Sequence, residues 1–70
     1  MGDDIKIKFG RNLRAIRAGK ALTQQTVADI IGTQQSAYCR IESGESNITL
    51  KTIEKLSQAL DVSPAEFFKD

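Results

Sequence analysis

This chain of 70 residues contains no histidine, one cysteine and one proline. Without histidine, neither a His-based catalytic triad nor a His-ligated metal site is possible. The single thiol, Cys39, cannot form an internal disulfide or a multi-thiolate zinc site, and a lone cysteine points to a reducing compartment. No window approaches the roughly 18 apolar residues that span a membrane. The N-terminus, Met1-Gly2-Asp3-Asp4, carries acids where a signal peptide carries bases, and no apolar stretch follows. Lys6 stands where N-myristoylation of Gly2 would want Ser or Thr. There is no repeat, no linker and no low-complexity stretch. A phosphate-cradling glycine loop is also missing, as is any paired nucleophile and base. These absences lead us to expect a cytoplasmic protein that is not an enzyme. They also lead us to expect no cofactor, no metal, no membrane partner and no small-molecule ligand.

The length allows one small domain. A domain of this size buries only about 60% of the surface its unfolded chain exposes, so its core must be used efficiently. Apolar residues make up 40% and charged residues 27%, values of a globular chain and not a disordered one. The net charge of +1 conceals an asymmetry. Residues 5–40 hold the bases Lys6, Lys8, Arg11, Arg14, Arg17, Lys20 and Arg40 against one acid, Asp29. Residues 41–70 hold three bases against six acids. Such a split either supplies a local positive face for a polyanion or marks two ordinary solvated faces.

The apolar spacing is helical throughout, and no segment alternates over strand length. Phe9, Leu13 and Ile16 predict a first helix over about 5–19, with residues 1–8 an N-terminal extension or its start and 9–69 the domain. Thr23 can cap a second helix over 24–31, carrying Val27, Ala28 and Ile31. Gly32 fits the left-handed position after it. Tyr38 and Ile41 place one face of a third helix, 34–43, for which Thr33 and Gln34 compete as cap. Ile53, Leu56, Ala59 and Leu60 define a fourth helix, 50–60. Ser63-Pro64-Ala65-Glu66 reads as a capping box that opens a fifth, 64–69. The four glycines 10, 19, 32 and 44 read as punctuation between or beside these runs. The fold class is all-α, a compact five-helix domain.

Residues 22–44 carry the chemistry. Two helices of about two turns are joined by a tight turn at Gly32, with the small Ala28 at their crossing. Val27, Ile31, Tyr38 and Ile41 face inward, which leaves Gln34, Gln35, Ser36, Cys39 and Arg40 outward. That outward face lacks acids. Gln pairs with the N6/N7 edge of adenine and Arg with the O6/N7 edge of guanine, so the face suits a major-groove reader.

In this order and spacing, Arg17, Leu22-Thr23-Gln24, Val27-Ala28, Gly32, Ile41-Glu42-x-Gly44 and Leu60-Asp61-Val62-Ser63 resemble the phage repressor/Cro type (XRE) of helix-turn-helix domain. The resemblance covers roughly residues 9–68. It implies a lambda-repressor-like fold with the helix-turn-helix at helices 2 and 3, and a DNA-binding regulator. Thr23 and Gln24 then meet backbone phosphate, or simply cap a helix. Thr33, Gln34, Gln35 and Ser36 open the recognition helix, with Gln35 aligned on a base-reading Gln and Ser36 where the family carries a second. Arg40, one turn on, either reads guanine or binds phosphate. Asn47 either contacts phosphate or forms a turn. Cys39 on the reading face is either a small tolerated side chain or a site where oxidation would obstruct the groove. Arg17 and Glu42 match a structural ion pair of the family. Ile48 stands where the family commonly has Pro.

One such domain reads only a few base pairs, so a homodimer on two half-sites of double-stranded DNA is expected. Leu60, Val62, Phe67 and Phe68 are the candidate dimer surface, with Phe67 the one expected to fold back onto the core. Chains of this kind resemble Cro-like repressors or restriction-modification controllers. The alternative is an antitoxin-type protein-interaction module that represses its own operon.

Overall fold

Capping chemistry sets where most of the helices start and stop. The computed structural model describes residues 2–70, with side chains from Ile5 onward. Its elements are α1 (Gly2–Gly19), α2 (Gln24–Ile31), α3 (Gln35–Ser43), α4 (Leu50–Leu60) and a closing 3-10 helix, Pro64–Phe68. Thr23 and Thr49 cap α2 and α4 identically. Each hydroxyl accepts the backbone N–H of the threonine three residues on, Thr26 or Thr52, at 3.1 Å. Gly32 and Gly44 close α2 and α3 in the left-handed region, with φ of 78° and 82°.

Two boundaries differ from the sequence reading, and a third that it left open is decided. First, α1 begins at Gly2, so residues 2–8 are its first turns; Met1 lies outside the described residues. Second, Gln34 and not Thr33 is the cap of α3, and its side chain makes no capping bond. Third, the last element is a 3-10 helix and not a fifth α-helix. Five residues close too few i→i+4 bonds to offset the cost of nucleating an α-helix. The Glu66 carboxylate turns to Lys69, 3.0 Å away. Ser63 instead accepts from the N–H of Ala65 at 3.3 Å.

The core gathers Phe9 and Leu13 from α1, Val27, Ala28 and Ile31 from α2, Tyr38 and Ile41 from α3, and Leu56 and Leu60 from α4, with Phe67 from the last turn. Each large side chain fully withdrawn from water contributes about 1.5–3 kcal/mol. α1 packs on α3 and on the 3-10 helix, while α2 bridges α3 and α4. The α1–α3 crossing is very close. Gly10, in mid-helix and not at a boundary, lies against the backbone of α3, and a Cβ there would stand 2.4 Å from the carbonyl oxygen of Glu42.

This packing also corrects the expected dimer surface. Leu60 is 1% exposed, so it is spent on the protomer's own core and has no surface to offer a second chain, while Phe67, at 0%, folds back onto the core as expected. The Phe9 and Phe67 rings pack at a centroid distance of 4.9 Å. Val62 is half-buried against the same core. Phe68 keeps an exposed edge.

Candidate nucleic-acid interface

The start of α2, the turn into α3, α3 itself and the loop before α4 carry every residue singled out for DNA. Tyr38, Ile41 and Glu42 turn α3's inner face into the core. The opposite face, formed by Gln35, Ser36, Cys39 and Arg40 with Gln34 at its head, is exposed. Among the described residues, none of these five side chains makes an intramolecular hydrogen bond or ion pair. Five polar or polarisable groups are therefore free to meet a ligand. Cys39 is an exposed free thiol on this face.

The rim is built by the neighbouring turns. Thr33 is half-buried, and its N–H donates to the carbonyl of Ala28 at 2.9 Å, which fixes the bend between α2 and α3. A groove runs from this bend to the start of α4, lined by Thr33, Ala37, Asn47, Thr49 and Lys55. It brings Asn47 to the same groove as Ala37 of α3. It also brings Lys55, an exposed cation that sequence reasoning missed. The signal was its helical spacing from Thr52, three residues back on the same side of α4.

Behind the face lies a buried polar cluster. Arg17 grips Glu42 with Nε to Oε2 at 2.6 Å and Nη2 to Oε1 at 3.2 Å. The Tyr38 hydroxyl donates to the same carboxylate at 2.5 Å, and the Gln24 amide donates to it at 3.0 Å. A third Arg17 nitrogen donates to the carbonyl of Leu22 at 2.7 Å. Burial pushes the Glu42 carboxyl up, but hydrogen bonds from Arg17, Tyr38 and Gln24 outweigh it and hold the group below the usual carboxylate range. Hydrogen bonding to Glu42 raises Arg17. Burial, then the hydrogen bond to Glu42, raises the Tyr38 hydroxyl. The cluster ties α1, the start of α2 and α3 into one frame. It also gives Gln24 a second role, because one of its amide protons is committed to Glu42. Thr23 remains exposed at the N-terminus of α2, where the first N–H groups favour anions.

Residues 13–67 match the Helix-turn-helix (HTH_3) family. The chain belongs to this family. In the helix-turn-helix, α2 is the first helix, Gly32 the turn and α3 the recognition helix. Control protein C.MunI from Mycoplasma sp is 38% identical over 69 residues, covering 97% of this chain and 93% of its own. Control protein C.BamHI from Bacillus amyloliquefaciens is 34% identical over 67 residues, covering 94% and 83%. The crystal structure of the restriction-modification controller protein C.AhdI from Aeromonas hydrophila superposes with a TM-score of 0.86. Its identity is 42%, with 93% of this chain and 97% of that one covered. These similarities support the same order of helix-turn-helix elements that the capping and packing produce.

Proposed function

We propose that this helix-turn-helix protein is a sequence-specific, DNA-binding transcriptional regulator that places α3 in the major groove of an inverted-repeat operator. The observation that carries the reading is the recognition face itself. Gln34, Gln35, Ser36, Cys39 and Arg40 project from a helix fixed from behind by the Glu42 cluster, and their side chains are uncommitted. Gln35 and Arg40 carry direct readout. Thr23, Asn47 and Lys55 provide the flanking phosphate contacts that set register. Gln24 contributes through whichever of its amide atoms Glu42 leaves free. The similarity to control proteins supports a restriction-modification controller setting, in the cytoplasm with the DNA.

The reading includes a homodimer. The domain measures 31 × 22 × 20 Å, while half-site centres lie about 34 Å apart. One protomer therefore covers one half-site. An apolar groove of about 300 Å³ is lined by Ile5, Phe9, Ile48, Ile53 and Phe68. Ile5 is 56%, Phe68 39% and Leu50 84% exposed. Apolar surface both recessed and protruding suits an isologous contact with a second copy, in which each protomer supplies the same patch. In this reading the exposed Ile5, Leu50 and Phe68 carry the contact in place of the buried Leu60.

Selection from random duplex DNA at physiological salt, followed by sequencing, tests the function. An enriched inverted repeat with centres one helical turn apart is expected. Salt-sensitive binding without enrichment of any sequence would refute direct readout.

A further inference from the structure

The dimer patch depends on one aromatic ring at the very end of the regular structure. The 3-10 helix stops at Phe68, and Lys69 is already extended, with φ −71° and ψ 145°. Carbonyls at a helix exit lack intrahelical partners and need others. Here the partner comes from a residue more than fifty positions away. The Nδ2 group of Asn12, on α1, donates to the carbonyl of Phe67 at 2.9 Å and to that of Lys69 at 2.7 Å. Those two carbonyls bracket Phe68. Lys8, one turn earlier on α1, pairs with Asp70 and holds the outer end of the same segment. Phe68 is thereby pinned on both sides, with its ring centroid 5.4 Å from that of Phe9 and its edge lining the apolar groove.

We propose that Asn12 is a positioning residue for self-association: by holding the carbonyls on either side of Phe68, it fixes the ring against which a second copy packs. An asparagine suits this task. Its single NH₂ group supplies two donors from one planar unit, enough for two carbonyls two residues apart. Asn12 sits on the flank of α1 that meets the chain end, and α1's contact with α3 runs through Gly10. Loss of the tether releases the last residues while leaving the recognition helix in its frame. A rigid contact residue binds better than a mobile one because its ordering cost is met in advance.

This inference rests on the homodimer reading, and two measurements separate them. Asn12→Asp keeps the shape but sets a carboxylate against two carbonyl oxygens. Sedimentation equilibrium of N12D should show the dimer dissociation constant raised at least tenfold. Affinity for a single half-site duplex should stay within twofold, a pattern that general loosening of the fold would not give. Asn12→Ser, with one hydroxyl donor, should fall between N12D and wild type, and it carries the test if N12D does not fold. A folded N12D or N12S with wild-type dimerisation, or with dimer and half-site affinities falling together, overturns the proposal. Wild-type protein that stays monomeric at all concentrations, and binds a two-half-site duplex without cooperativity, overturns the dimer itself.

Discussion

Replacement of Glu42 by alanine should nearly unfold this domain. Its carboxylate side chain is 3% exposed and that of Arg17 is 13%. It accepts two hydrogen bonds from Arg17 and one each from Tyr38 and Gln24. Truncation therefore leaves a guanidinium, a phenol and an amide around an empty space. Removing one partner of a buried ion pair costs about 3–5 kcal/mol, because the other charge stays buried without compensation. The whole stability of a 70-residue domain is roughly 3.5–10 kcal/mol. At about 4–8 °C per kcal/mol for a domain of this size, the melting temperature should fall by at least about 12 °C. Thermal and urea unfolding followed by circular dichroism will measure this. The double variant Arg17→Met with Glu42→Leu is the control. With both charges gone, the loss should be well below the sum of the two single losses. A Glu42→Ala melting point within about 2 °C of wild type would refute the reasoning, since it would mean that water already reaches the cluster.

The same cluster fixes how stability varies with pH. Glu42 is held below its unfolded value, so its contribution is complete above about pH 4.5 and is lost as pH falls through the folded value. Tyr38 is raised, so its contribution is complete below about pH 10 and declines as pH climbs beyond that. Urea midpoints across this range should show both limbs, with Glu42→Gln flattening the acid one and Tyr38→Phe the alkaline one. Gln35→Ala should weaken operator binding by about 1–3 kcal/mol and relax preference at one base pair, read by competition against operator variants; equal losses on all sequences would argue against base contact. Phe68→Asp should shift the protein toward monomer in sedimentation with the fold retained, whereas Phe67→Asp should abolish cooperative unfolding. Gly10→Ala should cost about 1–3 kcal/mol or more by forcing α1 away from α3; a melting point at or above wild type would contradict the close crossing.

The legible parts of the chain were those governed by local chemistry. Thr23 announces α2, and Gly32 and Gly44 end α2 and α3, because caps and left-handed turns depend on a few neighbouring residues. The face of α3 followed from the spacing of Tyr38 and Ile41. Long-range packing was not legible. Gly10 looked like punctuation, yet it lies inside α1 because the backbone of α3 leaves no room for a Cβ. Gln24 looked like a phosphate contact, and its bond to Glu42 depends on a contact across 18 residues. Leu60 looked available for dimerisation, since apolar periodicity does not tell which of several faces the core will take. Whether Pro64–Phe68 forms an α- or a 3-10 helix turned on five residues and on Glu66 turning to Lys69.

One division of labour within α3 has an evolutionary consequence. Its inward residues hold the domain together, while Gln34, Gln35, Ser36, Cys39 and Arg40 are tied to nothing else among the described residues. Substitutions at those five positions leave the core and its polar cluster untouched, and exposed sites of this kind usually change stability by less than about 0.5 kcal/mol. Under the proposed function, target preference can therefore drift, or be rewritten by design, without passing through unfolded intermediates. Duplicated copies of such a gene could diverge to separate operators one substitution at a time, each step a folded protein.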